Sequence, residues 1–197
     1  MAWPMVVVIS GPSGVGKSTI VEALRARHPE LAPIVAVTTR PRRADEADGV
    51  HYHFLEPTAF DALRDSGELL EWAEVHGHRY GTPRDQVERA LANGRHAILP
   101  IDPQGARSIR NLIADALLIF VMPPSMDDLL ARLRSRRSES QASLALRERN
   151  AVAEIASSTD YDHVVVNETG HAAEAAEWIW EIIDREARRE PPRRARL

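Results

Sequence analysis

An α/β fold, with a parallel five-stranded sheet flanked by helices and interrupted by two insertions, is what this sequence predicts. Three observations point there. Apolar β-type runs recur at Val6–Ser10, Ile34–Thr38, Ala97–Ile101, Leu117–Val121 and Val164–Val166. They are continuous rather than alternating, as strands buried on both faces should be. Helical patterns separate most of them, and strands alternating with helices imply a parallel sheet whose ligands sit at the carboxyl ends of the strands.

The first strand leads into Gly11-Pro12-Ser13-Gly14-Val15-Gly16-Lys17-Ser18, which fits G-x-x-x-x-G-K-[ST]. Helix formers from Thr19 to Arg27 follow, with Ile20, Val21 and Leu24 apolar. Strand, glycine loop and helix let backbone N–H groups and a helix N-terminus wrap a polyphosphate. The loop residues Gly11, Ser13, Gly14, Val15, Gly16, Lys17, Ser18 and Thr19 are the expected nucleotide cradle. Lys17 would reach the β- and γ-phosphates, and the Ser18 hydroxyl would face Mg²⁺. Lys17 is also the only lysine among 25 basic residues. A compact ammonium on a flexible stem is not reproduced by a planar guanidinium.

Further on, Arg84–Asn93 places Val87, Ala90 and Leu91 on one face, with Pro83 at its start and Gly94 at its end. Ser125 is positioned to cap a helix whose first turn holds Asp127 and Asp128, and Met126, Leu129, Leu130 and Leu133 line its stripe. Ala172, Ala175, Ala176, Ile179, Ile182 and Ile183 mark a last long helix. Two stretches break the alternation and read as insertions. Thr38 to Pro83 holds short alternating pieces (His51–Phe54, Leu69–Val75) among turn residues, and Arg132 to Ser158 is Arg-rich, then Ser-rich and helical. The end, residues 188–197 with five arginines, is expected to fray into solvent.

Composition bounds the rest. A chain of 197 residues suits one domain with a sizeable core. The net charge of −4 gives no general attraction to nucleic acid or anionic membrane. The absence of cysteine removes thiol chemistry and disulfides. No apolar run is long enough to span a bilayer and no leader pattern is visible, so a cytoplasmic location is expected. The pairs His51/His53 and His76/His78 lack a third ligand at metal spacing, so the metal reading is not adopted.

Specificity has to come from a second group of residues. Thr38-Thr39-Arg40-Pro41-Arg42-Arg43 concentrates guanidiniums and hydroxyls. Asp48-Gly49 and Tyr52 follow, then Glu71 to Pro83, and later Ile101-Asp102-Pro103-Gln104-Gly105. Here the chain resembles the guanylate kinase family over nearly its whole length. The resemblance is carried by G-P-S-G-V-G-K-S-T, T-T-R with Arg43 three further on, D-G-x-x-Y-x-F and E-x-A-E-V-H-G. It continues through Y-G-T-P, I-D-x-Q-G-A, Pro123-Pro124-Ser125 and Tyr161-Asp162-His163-Val164-Val165-Val166-Asn167. It implies GMP as acceptor and MgATP as donor. It also implies a P-loop kinase core (3–37, 84–125 and 159–190) with a GMP-binding insertion at 38–83 and a helical lid at 126–158. Arg40, Arg43, Tyr52 and Tyr80 would hold the GMP phosphate. Thr82 would donate to guanine O6, and Asp102 would lie on the guanine or acceptor side. Arg136 and Arg147 match the lid arginines, with Arg132 a weaker candidate; together with Lys17 and Arg43 they would balance charge on the transferring phosphoryl. Glu71 is the expected base reader, because one carboxylate can accept both N1–H and N2–H₂ of guanine, which adenine cannot offer. Monomer and homodimer are both compatible with the sequence.

The chain departs from the family pattern at three positions. Ala36 stands where a phosphate-donating serine is usual, and one charge-assisted hydrogen bond is worth ~1.5–3 kcal/mol. Pro100 replaces the first carboxylate of D-I-D, and Asp45 replaces a glycine. A kinase for a modified acceptor and a non-catalytic binding module are the competing readings. The intact glycine loop disfavours the second. A GTPase switch would need N-K-x-D, which the single lysine excludes.

Overall fold

The computed structural model describes residues 3–75, 77–135, 141–193 and 195, with only the backbone described for 135 and 141–147. In chain order the elements are β1 (Val6–Ser10), α1 (Lys17–Arg27), β2 (Leu31–Pro33), β3 (Val37–Thr38), β4 (His53–Phe54), α2 (Pro57–Asp65), β5 (Leu69–Val75) and β6 (His78–Pro83). There follow α3 (Arg84–Ala92), β7 (His96–Pro100), α4 (Pro103–Leu112), β8 (Leu117–Met122), α5 (Met126–Ser135), α6 (Gln141–Ala156), β9 (His163–Val166) and α7 (Ala172–Ala187). The main sheet is parallel, in the order β2-β7-β1-β8-β9.

The continuous apolar runs have the reason expected of them. Val7 and Ile9 face one core with Ile20, Leu24, Ile179 and Ile183 from α1 and α7. Val6 and Val8 face the other, with Val87 and Ile109 from α3 and α4. All four β1 valine and isoleucine side chains are fully buried, so neither face can carry polar residues. The edge strand β9 differs: Val165 is buried while Val164 and Val166 are exposed. Ser125 caps α5 as expected, its Oγ accepting from Asp128 N at 3.0 Å. Among the described residues, no helix is long and apolar enough to cross a membrane.

The core strand expected at Ile34–Thr38 lies instead at Leu31–Pro33, and the end of the expected run, Val37–Thr38, is a strand of a second sheet. β2 ends at Pro33, and Ile34 N donates the last ladder bond to Ile98 O at 2.9 Å. The chain then crosses to β3, where Val37 and Thr38 pair with β6 and β4. Pro33 fits because β2 is an edge strand and needs no second partner. The second sheet runs β4-β3-β6-β5. It has its own small core of Val37, Phe60 and Leu69, with Phe60 supplied by α2.

Within the end expected to fray, Arg193 is instead held against the fold. Arg193 is 9% exposed. Its Nε donates to Glu186 at 2.8 Å and its Nη1 to Ala116 O at 3.2 Å, with Asp162 at 3.6 Å. Ala195 packs against the second core. Arg193 therefore ties α7 to the start of β8, at the amino ends of the strands. Asp162 keeps Arg110 and Leu118 N–H, and Glu186 keeps His163, so removal of Arg193 strands neither carboxylate. Arg193→Ala is accordingly expected to cost about 2 kcal/mol and to lower the melting temperature by roughly 4–8 °C. An unchanged melt would mean that this end contributes nothing to the fold.

Candidate active site

The carboxyl ends of β1 and β7 open, as the crevice rule requires, into a cleft of about 650 Å³ that also takes in the face of the second sheet. Gly11, Ser13, Gly14, Val15, Gly16, Lys17, Ser18 and Thr19 line one side. The loop they form follows from β1 ending against β8. At Gly11 φ is 144°, and a Cβ there would sit 2.3 Å from Val121 O, inside backbone that cannot move. Lys17 opens α1 and folds back across the loop, its Nζ donating to Gly11 O at 2.6 Å and Pro12 O at 3.2 Å.

The loop is held from outside by side chains the motif does not contain. Asn167, just past β9, donates to Val15 O at 2.7 Å. Arg132 on α5 donates to the same carbonyl at 3.1 Å and to Asn167 O and Thr169 Oγ1, each at 2.9 Å. Arg132 thus braces the glycine loop and its neighbours. Glu154 on α6 lines the cleft, its carboxylate accepting from Ser13 N at 3.4 Å. Sequence reasoning did not single out Glu154. Arg136 lies outside the described residues, and of Arg147 only the helical backbone is described.

Arg40, Arg43, Tyr52, Glu71, Tyr80 and Asp102 line the opposite side. Arg40 stands over the rings of Tyr52 and Phe54, 5.6 and 5.7 Å from their centroids. Tyr52 meets Tyr80 edge-on with centroids 5.8 Å apart, and burial raises its phenol above the ordinary tyrosine range. Glu46, also missed in the sequence, joins this side and binds both arginine positions. Ala36 and Pro100 line the cleft as well, whereas Asp45 is exposed outside it.

Glu71 is the most perturbed acid here. It lies on β5 and is 8% exposed. Burial pushes its carboxyl up to about 7; a hydrogen bond from Thr82 works against that, and the Asp102 charge adds to it. Thr82 is its cross-strand partner on β6 and donates to Oε1 at 2.5 Å. Thr82 does not line the cleft and is 1% exposed; its hydroxyl is spent on Glu71. On the other side, a Cβ at Gly105 in α4 would lie 2.9 Å from Glu71 Oε2, so glycine lets the helix approach the acid. Asp102 caps that helix, its Oδ1 accepting from Gln104 N at 2.7 Å and Gly105 N at 3.3 Å. One side of the cleft therefore offers backbone donors and an ammonium. The other offers two guanidiniums, two phenols and a buried carboxyl.

Comparison with known proteins gives this arrangement its relatives. The family model described as guanylate kinase matches residues 4–185. A guanylate kinase from a Chelativorans species is 49% identical over 165 residues, 83% of this chain and 76% of that protein. One from Thermobifida fusca is 48% identical over 164 residues, 83% of this chain and 84% of its own length. Among solved structures, the guanylate kinase of Anaplasma phagocytophilum superposes with a TM-score of 0.81 at 32% identity, covering 96% of this chain and 89% of that one.

Proposed function

The chain belongs to the guanylate kinase family and is a kinase that phosphorylates GMP with ATP, and from that premise we propose how its cleft divides the work. The glycine loop holds the ATP phosphates through its backbone N–H groups and Lys17. The second sheet holds GMP, with Glu71 on the base and Arg40, Arg43, Tyr52 and Tyr80 on the phosphate. The observation that carries this reading is that both residue sets line one cleft.

Phosphoryl transfer asks little covalent chemistry of a protein. It asks for two phosphates held in line, compensation of charge and exclusion of water. Lys17 brings a point charge to the transferring group, and Arg43, whose side chain is 37% exposed and only loosely paired with Glu46 at 3.8 Å, reaches towards the same point from the acceptor side. Glu71 accepts the two adjacent guanine donors as a carboxylate, and Thr82 keeps it aimed by hydrogen bonding from behind. Asp102 fixes the start of α4 against Glu71 and so acts through position. Arg136 and Arg147 are proposed to close over the phosphates from the lid.

Mg²⁺ fits the donor set: the Ser18 hydroxyl lines the cleft at the start of α1, and the remaining ligands would be nucleotide oxygens and water. When bound, the ion neutralises charge on the phosphates being separated. Pro100 has no side-chain oxygen to add to this set.

An ADP-release assay with ATP and GMP, dGMP, IMP, AMP or UMP tests the assignment. GMP and dGMP should turn over. IMP lacks the N2 amine and should lose roughly tenfold to a hundredfold in kcat/KM, the worth of one charge-assisted hydrogen bond. AMP and UMP should be inactive. Turnover with none of the five would favour a binding module.

A further inference from the structure

We infer that Glu46 is the positioning residue of the acceptor-phosphate clamp, holding Arg40 and the Arg43 backbone in the geometry that receives a phosphate dianion. This rests on the reading that the second sheet takes GMP, and it adds a residue to that site.

The loop from Arg40 to Glu46 is closed on itself by one carboxylate. Glu46 Oε1 accepts from Arg40 Nη2 at 2.6 Å, and Oε2 accepts from Arg43 N at 2.8 Å. Glu46 N donates back to Arg43 O at 3.2 Å, and Arg42 Nη1 donates to the Glu46 carbonyl. The two oxygens thus fix a side chain and a backbone group three residues apart. The side chains of Glu46 and Arg40 are only 10% and 11% exposed, while that of Arg43 is 37% exposed. The pair is set into the wall and the second guanidinium is left forward. Burial alone would raise the Glu46 carboxyl; the Arg40 and Arg43 hydrogen bonds outweigh it and hold the group ionised below the usual range.

Two effects oppose each other. A carboxylate near the clamp weakens its attraction for phosphate. Against that, an arginine loses much rotamer freedom when it is immobilised, and a clamp fixed beforehand does not spend that loss on binding. Positioning wins here because Glu46 is the charged anchor of Arg40, whose Nη1 is otherwise held only by the neutral Pro41 O at 2.7 Å and whose flank is Tyr80. A guanidinium this buried, with its carboxylate removed, leaves the Tyr52 and Phe54 rings for solvent and takes a forked donor with it.

The test measures binding of GMP and of guanosine, together with steady-state kinetics, for the wild type, Glu46→Gln and Glu46→Ala. Glu46→Ala should raise the Kd and KM for GMP by about tenfold or more, leaving guanosine binding and the KM for ATP near wild type. Glu46→Gln retains one acceptor oxygen and the side-chain volume, so it should fold and fall between the two. Parallel loss of guanosine affinity in Glu46→Gln would make the role merely structural. Unchanged or tighter GMP binding in either variant would show that charge, not position, decides. A wild type that does not phosphorylate GMP would overturn the acceptor reading itself, and the two failures are thereby distinguishable.

Discussion

Lys17→Ala is expected to lower kcat about 10³-fold, on the order of 4 kcal/mol of transition-state stabilisation, while the Kd for GMP stays near its wild-type value. The argument is one of place. Lys17 begins α1 and folds over the carbonyls of Gly11 and Pro12, so its ammonium belongs to the loop and not to the wall bearing Arg40 and Glu71. Backbone donors of the loop would persist in the variant and still hold ATP, because they do not depend on the side chain. What is lost is a compact positive charge that follows the phosphoryl group as it leaves. Lys17→Arg should restore little of the rate, since a planar fork cannot fold back onto the same two carbonyls as a point charge does. Single-turnover rates and GMP calorimetry decide this. Equal losses in rate and in GMP affinity would mean that the two halves of the cleft are not separate.

The parts that were legible in the sequence are those fixed by local chemistry. The step from β1 through the glycine loop to α1 could be read residue by residue, because each position there answers a backbone or charge requirement. Four of the five core strands, β1, β7, β8 and the edge strand β9, were legible as continuous apolar runs. The division at Pro33 was not. Ile34 to Val37 is apolar, and nothing local states that the core strand stops at Pro33 while Val37 and Thr38 pair in another sheet. α2 left a faint signal, Pro57 in its first turn with Phe60 and Leu63 at helical spacing, diluted by the surrounding polar residues. Arg193 was read as solvated because its partners Glu186 and Asp162 become neighbours only when α7 and β9 pack together. Glu46 and Glu154 were missed for the same reason. A carboxylate looks like any surface acid until tertiary structure sets it against Arg40 or against Ser13 N–H.

Glu71→Gln should reduce kcat/KM for GMP by about 10²-fold, roughly 3 kcal/mol, and change the KM for ATP little. An amide presents one acceptor and one donor to a base edge that presents only donors, so one hydrogen bond is lost and one repulsion is gained. The same substitution should stabilise the ligand-free protein at pH 8. Wild-type Glu71 is buried and its carboxyl is pushed up to about 7. Because the folded chain holds that proton more tightly than the unfolded chain does, the group favours folding most at low pH, and that contribution is lost as pH rises towards 7 and beyond. Ionising it in place costs the fold on the order of 3 kcal/mol. A glutamine avoids this cost and can still accept from Thr82, so its melting temperature should exceed wild type at pH 8 and match it near pH 5. Activity follows the opposite course with pH. If Glu71 reads guanine as a carboxylate, the wild-type KM for GMP should rise as pH falls below 7, approaching about tenfold per pH unit, and the variant should lose this dependence. A variant equally destabilised at both pH values, or one whose KM for GMP still climbs as pH falls below 7, would remove Glu71 from the base-reading role.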